Sequence, residues 1–267
     1  MRLVSYDGGF GRVEGEPDDL VVVPMGADLV GWLAGDRAAD DGPPVPYDSL
    51  TLQAPVPRPG KIVCVGLNYR DHAAETGAPV PEEPVLFAKF ANSVVPDGAS
   101  VAIPPATQEV DWEAELGVVI GRTARRVDVA TALHHVAGYV CLNDLSARDL
   151  QRRGGQWTRG KAIDGFLPMG PWLVTADEVA DPQDLAVRCS VGGEVMQDSS
   201  TVQMVFGVAE LVSTISQTMT LEPGDCIATG TPPGVGMART PPRYLAPGDE
   251  VVVEIEGLGR LRTTITA

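Results

Sequence analysis

The chain has 267 residues, and 20 Lys and Arg against 36 Asp and Glu give a formal net charge of −16. That length allows one large domain or two unequal ones, and the acidic balance opposes any role that neutralises phosphate or anionic lipid, so no nucleic-acid or membrane partner is expected. No aliphatic run approaches the roughly 20 residues of a spanning helix, and residues 1–7 turn acidic and Gly-rich before an apolar signal could form, which predicts a cytoplasmic address.

The first 55 residues have a texture of their own. They carry the acids Glu14, Glu16, Asp18 and Asp19, frequent Gly, and the closing run Asp40-Asp41-Gly42-Pro43-Pro44-Val45-Pro46, after which proline returns in 55–60. The shift predicts a small N-terminal domain over 1–55 and a larger one over 56–267. Short apolar, β-branched runs bounded by Gly and Pro then predict strands at 61–65, 85–89, 116–120, 139–142, 172–174, 187–191, 226–229, 251–255 and 261–265. Helices are expected at 129–136, 145–153 and 204–217. Strand and helix do not alternate as in a doubly wound sheet, so the class is α+β and strand-dominated. Cys64, Cys141, Cys189 and Cys226 form no C-x-x-C pair, which argues against zinc and disulfides, and Cys64, Cys141 and Cys226 sit in apolar runs and read as small buried hydrophobes.

Four segments could carry chemistry. His72 follows an apolar strand pattern, and one helical turn would bring Glu75 beside it. A carboxylate that orients an imidazole suits a general base, and the Gly and Pro flanks over 77–81 suit a mobile lid. The alternative is an exposed loop histidine with a weak ion-pair neighbour. His134 and His135 fall in a helical stretch and read as satisfied or solvent-facing.

Glu113 and Glu115 stand at i and i+2 of a strand pattern and so point the same way, about 6.6 Å apart. If desolvated they repel each other unless a cation sits between them; otherwise they form a solvated edge. Asp144 ends a further apolar strand pattern. If 145–151 is helical, Asp144, Arg148 and Gln151 share a face, and the competing reading is an N-cap with a surface pair. Arg148, Arg152, Arg153, Arg159 and Lys161 crowd a stretch whose only acid is Asp149, which suits an anionic substrate or simply offsets acidic surroundings.

Together, Gly66-Leu67-Asn68-Tyr69-Arg70-Asp71-His72, Glu113-Ala114-Glu115-Leu116, the run 143–151, Pro168-Met169-Gly170-Pro171-Trp172 and the run 221–232 resemble the fumarylacetoacetate hydrolase family over roughly 60–267. The resemblance implies a mixed β-sandwich roll, commonly a homodimer, with Mg or Mn at the open end of the roll. By it, Glu113, Glu115 and Asp144 correspond to metal ligands, and His72 and Glu75 to a lid dyad that activates water. Arg148, Gln151, Lys161 and Thr231 correspond to groups that bind the substrate and its developing oxyanion, Lys161 with a catalytic part. An all-oxygen ligand set agrees with a hard cation. Ala162 and Gly165 stand where many members have Ser and Thr, which bears on substrate fit. The implied activity is metal-dependent carbon-carbon hydrolysis of an acylpyruvate-type 2-oxo acid. Decarboxylation of oxaloacetate-like acids and keto-enol or hydroxymuconate isomerisation would use the same enolate, and a retained fold acting as a binding module would use none of it.

Overall fold

A computed structural model describes residues 1–16, 18–35 and 41–267; Asp40, which opens the Pro-rich run, lies outside the described residues. The longer sheet runs in the order Val45–Pro46, Val21–Gly26, Gly9–Glu14, Arg2–Tyr6, Leu167–Thr175, Val136–Asn143, Ala114–Ile120, Cys226–Ala228, Ile62–Gly66, Val85–Lys89. A second, five-stranded sheet follows the order Glu194–Ser200, Ala186–Val191, Glu250–Ile255, Gly259–Thr266, Ala99–Ala102. The fold is thus the strand-dominated α+β type that the sequence predicts.

The burial patterns say where the core sits. Ala114–Ile120 is buried at every position, as in a strand covered on both faces. Ala186–Val191 and Gly259–Thr266 alternate buried with more exposed positions, as in strands with one face on the core. One cluster therefore fills the space between the sheets, with Leu116, Val118 and Ile120 against Val187, Cys189, Val253 and Leu261. The opposite face of the long sheet packs Cys64, Val140, Leu142 and Met169 with Phe10, Trp32 and Leu33. All four cysteines are free and buried, as small apolar residues should be. The first strand joins the rest through Arg2↔Val174 and Leu3↔Leu173, so the N-terminal strands extend the same sheet.

The predicted strands all form, six of them with longer ends, 85–89 as predicted, 61–65 shifted to Ile62–Gly66 and 226–229 shortened to Cys226–Ala228, and the helices depart more. The 129–136 stretch is a helix over Val129–Ala132, a 3-10 turn over Leu133–His135, and then the start of a strand. The third helix begins only at Val208, where Glu210 accepts a 2.9 Å bond from the Gly207 N–H. Residues 145–153 are not one helix. Ser146–Ala147 pairs as a strand with Val110–Asp111, and the helix is only Arg148–Gln151. The N–H groups of Asp144 and Arg148 donate instead to the carbonyls of Glu113 and Glu109, each at 2.8 Å, so pairing across the fold replaces the local helix.

Close backbone approach fixes one position sharply. A Cβ on Gly138 would stand 2.2 Å from the Val174 carbonyl oxygen. Gly138→Ala should therefore cost about 1–3 kcal/mol in denaturant unfolding, and an unchanged midpoint would contradict this packing.

Candidate active site

Two antiparallel neighbours build the site. Ala114–Ile120 and Val136–Asn143 pair in the register Ala114↔Asn143, which sets Glu113 and Glu115 at one end of a strand and Asp144 at the matching end of the next. Asn143 Oδ1 accepts the Glu113 N–H at 3.1 Å and locks the corner. One carboxylate oxygen from each of Glu113, Glu115 and Asp144 lies within 4.8 Å of the others, and all three residues are buried.

Buried charge surrounds the triad. Arg148 donates from Nε to Asp111 Oδ2 at 2.8 Å and from Nη1 to Gln151 Oε1 at 3.0 Å, and its Nη2 stands 2.7 Å from Glu113 Oε1. Lys161 Nζ donates to Glu113 Oε2 at 2.6 Å and to Asp144 Oδ2 at 2.9 Å. Lys89 Nζ stands 2.8 Å from Asp144 Oδ1. Asp111, Glu113, Glu115 and Asp144 thus face Lys89, Arg148 and Lys161, one buried acid more than buried cations.

Glu115 is the acid left over. It is 1 % exposed, and its Oε2 accepts a hydrogen bond from the Gly230 N–H at 2.9 Å. Burial, then Asp144 and Glu113, push its carboxyl well above the ordinary range. Burial also acts upward on Glu113, but Lys161 and Arg148 outweigh it and hold that carboxyl at about 2. Burial likewise disfavours charge on Lys161, yet Asp144 and Glu113 raise it above the usual lysine value. A crowded all-oxygen cluster with one uncompensated carboxylate fits a hard divalent cation.

His72 and Glu75 stand on the helix Arg70–Thr76, with His72 facing the cavity. His72 is 6 % exposed, not the exposed loop residue of the alternative reading. Its Nδ1 is 2.9 Å from Glu75 Oε2, and Glu75 Oε1 accepts the Gly234 N–H at 2.9 Å. Ser199 Oγ donates to Asp71 Oδ2 at 2.5 Å, and Arg70 donates to the Met204 carbonyl, so the helix is fastened at three points. Thr231 Oγ1 donates to the Ala114 carbonyl at 2.9 Å and accepts from Gln197 Nε2 at 2.8 Å.

A cavity of about 130 Å³ joins these parts. His72, Glu113, Glu115, Arg148, Gln151, Lys161 and Thr231 line it, with Val65, Leu67, Phe87, Trp157 and Met237 as its apolar wall. Glu75 and Asp144 stand behind His72 and Lys161. The five-cation patch does not form as one surface: Arg148 and Lys161 turn inward, while Arg152, Arg153 and Arg159 are exposed. Asp144 does not form a surface pair with Arg148, which is drawn to Asp111 and Glu113. His134 is exposed and His135 only partly buried, outside the site.

Three polar residues of the site escaped sequence reasoning. Asp111 anchors Arg148 and accepts the Gly236 N–H at 2.6 Å, and its signal was present as the first acid of the alternating 111, 113, 115 pattern. Lys89 and Gln197 gave no such signal, because their partners come from distant segments.

Residues 61–266 match the family profile described as Fumarylacetoacetate (FAA) hydrolase C-terminal. The chain belongs to this family. It is 53 % identical over 219 residues to the oxaloacetate tautomerase FAHD2A, mitochondrial, of Bos taurus, a match covering 81 % of this chain and 70 % of that protein. The fumarylacetoacetate hydrolase from Exiguobacterium antarcticum superposes with a TM-score of 0.89 at 38 % identity, covering 100 % of this chain and 99 % of that one. The 5-carboxymethyl-2-hydroxymuconate delta-isomerase from Mycobacterium smegmatis gives a TM-score of 0.85 at 37 % identity, with 99 % and 98 % covered. This family member is an enzyme, and among its described residues no helix is long and apolar enough to cross a membrane.

The raised Glu115 carboxyl has a pH consequence. The folded, metal-free chain keeps a proton there that the unfolded chain gives up, so Glu115 adds no penalty in acid and a growing one as pH rises past the ordinary glutamate range. Glu113 acts oppositely: its stabilisation is present above the ordinary range and is lost as pH falls toward about 2. A divalent ion would cancel the Glu115 penalty, so the rise in melting temperature on adding Mn2+ should grow from mildly acidic to neutral pH. A pH-independent rise would contradict this.

Proposed function

We propose that the protein turns over a small anionic 2-oxo acid through its enolate, with Glu113, Glu115 and Asp144 holding Mg or Mn. The observation that carries the reading is an oriented imidazole facing, across one cavity, a buried carboxylate triad with too few counter-charges. When bound there, the ion supplies positive charge beside the substrate's carboxylate and keto oxygens.

The chain's own residues supply the rest. Glu75 accepts from His72 Nδ1, which fixes the ring and leaves Nε2 as the basic atom. Lys161 and Arg148 place positive charge where an oxyanion develops. Gln151, whose oxygen accepts from Arg148, offers its amide N–H groups to the bound acid; Thr231, whose proton goes to the Ala114 carbonyl, lines the pocket beside it; and Phe87, Trp157 and Met237 keep water out.

Keto-enol exchange of an oxaloacetate-type acid is the first reading, because the relative at 53 % identity is named for it. There His72 takes a proton from the carbon next to the keto group and delivers one to the enolate oxygen, or runs the same exchange in reverse. Carbon-carbon hydrolysis of an acylpyruvate is the second, favoured by the same dyad, with His72 taking its proton from an attacking water. A homodimer in the cytoplasm belongs to the same proposal. The test is a panel of oxaloacetate, acetylpyruvate and fumarylpyruvate assayed with Mg or Mn. The expected result is turnover of at least one that chelation stops; none converted with either ion, despite tight binding, would favour a binding module instead.

A further inference from the structure

The catalytic reading leaves Lys89 without a task. This residue closes the edge strand Val85–Lys89, is 1 % exposed and does not line the cavity. Its Nζ donates to the carbonyls of Leu145 at 3.1 Å, Phe166 at 2.7 Å and Lys161. An ammonium has three protons, and these three carbonyls take them. Asp144 Oδ1, 2.8 Å away, forms an ion pair with the same ammonium.

The partners belong to separate pieces of chain. Leu145 follows Asp144 directly, Lys161 ends the helix Thr158–Lys161, and Phe166 precedes the strand Leu167–Thr175. One buried cation therefore ties together the backbones that carry Asp144 and Lys161, and faces the Asp144 carboxylate from outside the cavity. The other oxygen, Oδ2, is 2.9 Å from Lys161 Nζ, on the side where Lys161 also meets Glu113.

We propose that Lys89 is a positioning residue for the ion site: it holds Asp144 Oδ1 from behind, so that Oδ2 faces Glu113 and the cavity, and it fixes the backbone from which Lys161 reaches the same place. The proposal rests on the triad being the ion site. Groups that hold a metal ligand in place commonly change metal affinity by about 10–100-fold when removed. A buried lysine used only as filler would be matched by methionine, which has similar length but neither charge nor donors.

The experiment titrates Mn2+ alone, by calorimetry, into the full chain freed of metal by chelation. Lys89→Met should bind Mn2+ about 10–100-fold more weakly than the native protein. Val22→Ala, which opens a buried apolar cluster of the N-terminal strands, should lower the unfolding midpoint and leave Mn2+ affinity unchanged. Native-like or tighter binding by Lys89→Met overturns the proposal, as does equal weakening in Val22→Ala. If Lys89→Met does not fold, a Mn2+-soaked crystal of the native protein decides. Coordination through Asp144 Oδ2, with Lys89 still on its three carbonyls, supports the role; coordination through Oδ1 with Lys89 displaced overturns it. A native protein that binds no Mn2+ refutes the triad reading itself.

Discussion

Replacing His72 with Ala is expected to lower turnover of the 2-oxo acid by about 10²–10⁴-fold, the usual worth of a positioned general base, while leaving Mn2+ affinity essentially unchanged. His72 lines the cavity and bonds Glu75, and none of its hydrogen bonds runs to Glu113, Glu115 or Asp144. Glu75→Gln keeps an acceptor oxygen within reach of Nδ1 and so keeps the ring oriented, losing only the carboxylate charge, so its loss should be smaller. Steady-state rates alongside Mn2+ calorimetry make the comparison. Loss of metal binding in His72→Ala, or native turnover, would show the roles to be misassigned.

Glu115→Gln is expected to act in opposite directions on stability and on metal binding. In the metal-free chain Glu115 is buried without a cation of its own, beside two other acids. A neutral amide of nearly the same shape removes the cost of holding that carboxyl protonated, so the variant should unfold at higher denaturant than the native protein at neutral pH, by about 1 kcal/mol or more. It should also lose Mn2+ binding and turnover together. Asp144→Ala should lose binding too, but with a stability cost of about 3–5 kcal/mol, because Lys89 loses the carboxylate it faces. A Glu115→Gln protein that is less stable than the native one, or that still binds Mn2+, would contradict the charge balance described for the site.

The contrast between these two acids bears on how much a sequence can reveal. Period-two spacing put Glu113 and Glu115 on one face, and an apolar run ending in an acid marked Asp144, so the ends of two strands were legible one at a time. Their pairing in the register Ala114↔Asn143 was not, since register depends on contacts between distant segments. The same limit explains the segment 145–147. Its local pattern favours a helix, but the carbonyls of Glu113 and Glu109 take the N–H groups of Asp144 and Arg148 on either side of it, and Ser146–Ala147 pairs with Val110–Asp111 instead. Lys89 was invisible for a related reason: a lysine at a strand end normally reaches solvent, and here distant segments at 145, 161 and 166 close over it and take its protons. The short N-terminal strands were also missed, because frequent Gly and acids mask their apolar alternation, although Val4, Val13 and Val22 form a small core there.

The most direct measurement is an anomalous difference map, recorded at the manganese edge, from a crystal of the native protein soaked in Mn2+. The account predicts one strong peak in contact with carboxylate oxygens of Glu113, Glu115 and Asp144, which vanishes in Glu115→Gln. A map with no peak at that position, or with its main peak held by other residues, would contradict it.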